Sequence, residues 1–132
     1  KSSGMKAVRI LVVDDEEEIL RLLARRLTRR GHQVTTAADS SQALARLREG
    51  PFDLAILDFT MPIMNGLELA ERCRARYPAL KILMLTGSPV IEEIELARYP
   101  FLRKPLEDLQ DLDRAIERLL AAEGERASEG DG

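Results

Sequence analysis

Leu54-Ala55-Ile56-Leu57-Asp58 is a run of four apolar residues closed by a carboxylate, and the same pattern recurs along the chain. An unbroken apolar run of this length suits a strand covered on both faces, because side chains of both alternations must then meet protein. Working outward, Val8 to Val13 ends on Asp14-Asp15, and Gln33 to Ala37 forms a second run. Ile82 to Leu85 ends on Thr86, and the short Phe101-Leu102 leads into Lys104. Between the runs lie stripes at helical spacing. These are Ile19, Leu20, Leu23 and Leu27; then Ala43, Leu44 and Leu47; then Leu69, Cys73 and Tyr77; and finally Leu109, Leu112, Ile116, Leu119 and Leu120. The punctuation agrees: Gly31 caps the first helix, Asp39 and Ser40 start the second, Gly50-Pro51 ends it, and Pro78 ends the third. Strict alternation of strand and helix implies an α/β fold, a parallel sheet with helices on both faces. In such sheets the functional groups gather outside the carboxyl ends of the strands. Asp14, Asp15, Asp58, Thr86 and Lys104 all fall there.

The 132 residues set the scale of one domain, with an apolar fraction of 45% and a formal charge of −3. Acids and bases are interspersed, which argues against direct nucleic-acid or membrane binding, since either needs a basic patch. The apolar runs are too short to cross a bilayer. The single cysteine, Cys73, excludes an internal disulfide and fits a cytoplasmic setting; its place on an apolar stripe reads as packing. Lys1 to Gly4, ahead of Met5, reads as an expression remnant, residues 5–123 as the domain, and 124–132, rich in Gly, Ser and charge, as a flexible tail or linker stub. His32, just after Gly31, reads as a solvated loop residue, and Met61 and Met64 as packing for the loop after Asp58.

Three carboxylates converging at one edge repel one another unless a cation joins them. All-oxygen donors with room for water suit Mg²⁺, or Mn²⁺ in its place, and no His or Cys lies nearby in sequence to favour zinc. Taken alone, Asp14-Asp15 reads equally well as the acidic start of a helix. Thr86 alone reads as a strand-end hydroxyl, and Lys104 alone as a solvated charge. Together, a hydroxyl and an ammonium aimed at a carboxylate–metal site suit a phosphoryl group, whose transfer needs positioning and charge neutralisation. The nucleophile would be the Asp58 carboxylate, giving an aspartyl phosphate.

Four segments in this order resemble the receiver domain of bacterial two-component response regulators: Val12-Val13-Asp14-Asp15, Asp58 through Gly66, Leu85-Thr86-Gly87, and Phe101-Leu102-Arg103-Lys104-Pro105. The resemblance covers about Lys6 to Glu123. It implies a flavodoxin-like three-layer sandwich, a five-stranded parallel sheet of order 2-1-3-4-5. It further implies that Asp58 accepts phosphate from a sensor histidine kinase or phosphotransfer protein. Asp14, Asp15 and Asp58, with the Thr60 backbone carbonyl, would hold Mg²⁺. Lys104 would pair with the phosphate, and the Lys104-Pro105 bond would be cis. Gly66 would open the third helix, and Gly87 would leave space beside the phosphate. Thr86 and Phe101 would form the switch that signals to a downstream effector domain or protein, although Phe101 also reads as a simple core residue. Thr60 and Ser88 stand where the family varies and tunes phosphate lifetime. Homodimerisation stays open.

The chain departs from the family between Thr86 and Lys104. Arg98-Tyr99-Pro100 replaces the usual Gly-Ala before the last strand. Val90, Ile94 and Ala97 leave room only for a shortened fourth helix, from about Pro89 to Ala97, with a non-standard read-out surface. Pro100 suits an edge strand. The main alternative is a pseudo-receiver, an interaction module that never takes phosphate; its mark would be a lost pocket residue, and none is lost. A Mg²⁺-dependent phosphatase would need a cap and a general acid, for which there is no spare length. A flavin carrier is disfavoured because Asp14-Asp15-Glu16-Glu17-Glu18 would repel a phosphate.

Overall fold

The runs that read as doubly covered strands are sealed from solvent. In the computed structural model, which describes residues 8–87 and 98–131, Ile10 to Val13, Leu54 to Leu57 and Leu83 to Leu85 have no exposure. They form β1 (Arg9–Val13), β3 (Leu54–Asp58) and β4 (Lys81–Thr86), flanked by β2 (Gln33–Ala37) and β5 (Phe101–Arg103). All pairings are parallel, in the order β2-β1-β3-β4-β5. The strand order reverses at β1, with β2 on one side and β3 on the other, which creates the switch point, and Asp14 and Asp58 follow or end the two strands that flank it.

Alternation along each strand splits the core in two. Leu11, Val13, Ala55, Leu57, Ile82 and Met84 face one layer, packed by α2 (Ser40–Glu49) and α3 (Gly66–Arg76). Ile10, Val12, Leu54, Ile56, Leu83 and Leu85 face the other, packed by Leu23 and Leu27 of α1 (Glu17–Arg29) and by Leu112 and Ile116 of the final helix, α4 (Leu109–Asp131). Cys73 is buried in the first layer, and Met61 and Met64 pack against it, as their positions imply. The expected helix starts hold. Asp39 accepts the Gln42 N–H at 2.8 Å, and Asn65 and Glu68 form a reciprocal capping box.

Three readings change. His32 is buried, not solvated. Gly31, at φ +93°, turns the chain back so that the His32 N–H donates to the Leu27 carbonyl at 3.1 Å. Burial, then the Arg30 charge, pull the imidazole below its ordinary pKa, against the opposing pull of Asp113. Second, α4 continues to Asp131, past Gly124, where the sequence reading placed a flexible tail. Strong helix formers on both sides, Ala121-Ala122-Glu123 and Glu125-Arg126-Ala127, outweigh the roughly 1 kcal/mol cost of one glycine. Third, Gly50-Pro51 is cis as well as Lys104-Pro105, of which only the latter was expected. The helix expected from Pro89 to Ala97 lies outside the described residues. Pro100 leads into β5, which is an edge strand as anticipated.

Candidate functional site

The carboxyl ends of β1, β3, β4 and β5 deliver the side chains singled out above to one place. Asp14 is fully buried and its two oxygens have different partners. Oδ1 accepts the Glu16 N–H at 2.8 Å, so Asp14 does shape the start of α1, while Oδ2 lies 2.8 Å from the Lys104 ammonium. Lys104 also approaches Asp58 Oδ1 at 3.4 Å and Glu16 Oε2 at 4.0 Å. Asp58, 3% exposed, accepts the Thr60 N–H on the same Oδ1 at 3.3 Å. Asp15 is exposed, yet Asp14, Asp15 and Asp58 can each offer an oxygen within 4.8 Å of the others. Thr86 is buried at the end of β4, and its carbonyl accepts the Lys104 N–H at 2.9 Å, which ties the two residues together through the backbone. Phe101 is half-buried, paired in register with Met84 and packed against the layer under α3.

The electrostatics are those of an over-filled acidic pocket. Burial, then the neighbouring Asp14 charge, push the Asp58 carboxyl up to about 7, against the pull of Lys104 and the Thr60 N–H. Burial alone would lower Lys104. The hydrogen bond to Asp14 and the charges of Asp58, Asp14 and Glu16 outweigh it, so the ammonium is held above its ordinary range. Three carboxylates, Asp14, Asp58 and Glu16, lie within 4.0 Å of one ammonium, and Asp15 adds a fourth acid to the group. The donor set is all oxygen and one member, Asp15, opens to solvent, so a hydrated divalent cation fits both the charge deficit and the ligand chemistry.

The third helix begins against this pocket. A Cβ on Gly66 would lie 2.3 Å from the Asp58 carbonyl oxygen and 2.9 Å from Phe59 Cα, so only glycine lets α3 start there. Gly66 therefore opens the helix, as anticipated. At Gly87 an added Cβ would make an ordinary 3.7 Å contact with Lys104 Cβ.

Residues 10–117 match the response regulator receiver domain family. The chain belongs to that family. It is 36% identical over 118 residues to the response regulator receiver protein CpdR of Brucella abortus, covering 86% of this chain and 98% of CpdR. It is also 36% identical to the transcriptional regulatory protein TcrA of Mycobacterium tuberculosis, covering 89% of this chain but only 46% of TcrA. Among solved structures it resembles TrrA of Thermotoga maritima, solved in complex with Mg²⁺-BeF, with a TM-score of 0.77 and 33% identity over 85% of this chain and 98% of that one. A receiver of this kind is a signalling domain rather than a metabolic enzyme. Among the described residues no helix is long and apolar enough to cross a membrane.

The receiver contains two polar contacts that sequence reasoning missed. Ser40 Oγ donates to the Met64 carbonyl at 2.7 Å, and the Tyr99 hydroxyl donates to Glu71 at 2.8 Å with Arg74 over its ring at 4.4 Å. Ser40 was visible only as a helix start, and Tyr99 only as a departure from the family pattern. Their partners lie on other elements, out of reach of any local pattern.

Proposed function

We propose that Asp58 is the phosphoacceptor of a Mg²⁺-dependent receiver switch, charged by a sensor histidine kinase or phosphotransfer protein in the cytoplasm and read by a downstream effector. The observation that carries this reading is the Lys104 ammonium lying between Asp14 and Asp58 inside a three-carboxylate cluster. The similar TrrA, solved with Mg²⁺-BeF, supports the same chemistry, beryllofluoride being a common stand-in for a phosphoryl group.

Asp14, Asp15 and Asp58, with the Thr60 carbonyl, would hold the metal, which when bound neutralises charge on the phosphoryl oxygens. The Asp58 carboxylate attacks phosphorus, the P–N bond of the donor phosphohistidine breaks, and its electron pair returns to the imidazole, which takes a proton. Lys104, already held as a cation, exchanges part of its contact with the two acids for a phosphoryl oxygen. The Thr86 hydroxyl donates to another. Thr86 is bound to Lys104 through the backbone and neighbours β5, so its displacement reaches Phe101, two residues before Arg103 in the same short strand. That couples phosphate to partner binding as a shift between two states.

The test is intact-mass measurement after incubation with acetyl phosphate and Mg²⁺. The wild type should gain one phosphoryl group and Asp58→Asn none. Absence of uptake by the wild type at any Mg²⁺ concentration would leave a phosphate-independent interaction module in its place.

A further inference from the structure

Ser40 is the first residue of α2, yet it does not cap its own helix; Asp39 does that. Ser40 is 6% exposed, and its hydroxyl is spent on the Met64 carbonyl at 2.7 Å. Met64 belongs to the loop of residues 59–65 between Asp58 and α3. The same loop carries Thr60, whose N–H reaches Asp58 Oδ1. Its two ends are fixed by backbone bonds, Phe59 N–H to the Leu85 carbonyl at 2.8 Å and Gly66 N–H to the Phe59 carbonyl at 2.9 Å. Between them Met61 is buried, and Ile63 stands fully exposed in the left-handed region at φ +72°. A β-branched residue does not hold that conformation unaided. Next to Ile63, the Met64 carbonyl accepts its side-chain hydrogen bond from Ser40, while Asn65 is bound to Glu68 of α3.

We infer that Ser40 is a positioning residue for phosphoryl transfer: its buried hydroxyl ties the 59–65 loop to α2 and so holds the Thr60 N–H on the Asp58 carboxylate. This rests on Asp58 being the phosphoacceptor. Ser40 touches neither the phosphoryl group nor the metal ligands. It acts through Met64, four residues beyond Thr60, on the orientation of the nucleophile, where a displacement well under the length of a bond is felt in the rate.

The experiment measures the rate of phosphoryl uptake against acetyl phosphate concentration at saturating Mg²⁺, for the full chain and for Ser40→Ala and Ser40→Thr. Ser40→Ala should lower the maximal rate by about 3- to 10-fold while leaving the half-saturating concentration unchanged. Amide exchange at Thr60 and Met64 should quicken in Ser40→Ala, with the thermal midpoint little changed. Ser40→Thr, which keeps the hydroxyl, should recover most of the rate. A Ser40→Ala rate equal to wild type overturns the inference and leaves the reading of Asp58 standing. So does a rate loss that follows global unfolding and is not recovered by Ser40→Thr. A wild type that takes up no phosphate removes the reading of Asp58 and this inference with it.

Discussion

Two clusters of buried carboxylate in this receiver sit beside cations, and they are built to opposite ends. Asp113 of α4 meets Arg26 at 2.5 Å and Arg30 at 3.7 Å, with Glu117 answering Arg30 at 3.4 Å; two acids face two guanidiniums, and the bridge fastens α4 to α1. Asp58 shares one ammonium with Asp14 and Glu16, and Asp15 adds a further acid to the cluster. The first cluster is electrically complete. The second holds an excess of negative charge around two buried carboxylates, Asp14 and Asp58, a state that costs stability until a cation arrives. Charge balance therefore separates Asp113 from the proposed phosphoacceptor Asp58, although both are buried and both are paired.

The largest expected effect breaks the second cluster through its backbone. Gly66→Ala would force a methyl group to 2.3 Å from the Asp58 carbonyl oxygen, and nothing flexible stands in the way to yield. Either α3 or the end of β3 must shift, with a loss of about 3 kcal/mol or more. Denaturant unfolding measures it; a Gly66→Ala protein as stable as wild type means that α3 does not start against Asp58.

The next tests the charge excess itself. The Asp58 carboxyl ordinarily titrates at 3.8 and is pushed up to about 7 in the fold. Between those values the unfolded chain has released the proton and the folded chain still holds it. Stability without metal therefore falls as pH rises from about 4 to 7, by on the order of 2–4 kcal/mol in all. Asp58→Asn should flatten that slope and be more stable than wild type at pH 8, and Mg²⁺ should raise wild-type stability there. An Asn variant that keeps the wild-type slope would place the pH sensitivity elsewhere in the molecule.

The balanced cluster should behave differently. Asp113→Asn leaves two arginines without their shared acid, but both are partly exposed and can turn to water. The expected loss is about 1–2 kcal/mol, independent of Mg²⁺, with phosphoryl uptake unchanged. If Mg²⁺ shifts the stability of the Asp113 variant and the wild type by different amounts, the two clusters are coupled and the contrast fails.

What the sequence made legible follows from the range of each interaction. The sheet order and the core came through because β1, β3 and β4 carry their burial in consecutive apolar residues, a local signal. The pocket members came through because each ends or follows a strand, and the topology gathers strand ends. Pairing inside the pocket did not: Lys104 was assigned to the phosphate, and its shorter contact is to Asp14, which no pattern along the chain encodes. His32 was misread for the same reason. Beside a glycine it looks like loop, and of the charges around it Arg30 is local while Asp113 comes from a helix some 80 residues away. Ser40 and Tyr99 likewise depend on partners 24 and 28 residues distant.

The smallest effect has the opposite sign and bears on the loop that frames the acidic pocket. Ile63 makes no buried contact, so replacing it forfeits no burial, and its φ of +72° is costly for a β-branched residue. Ile63→Gly removes that strain at the expense of a more flexible unfolded chain, for a net gain of about 0.5–1 kcal/mol. If the Ser40 hydroxyl is what holds the strained loop, the two sites must couple. Ser40→Ala should then cost less phosphoryl-uptake rate in the Ile63→Gly background than in the wild type, because a glycine at 63 lets the loop keep its path without the tether. Strict additivity across that double-mutant cycle would separate them: Ile63 would be strained for a reason that lies outside the loop, and the Ser40 bond would serve α2 alone.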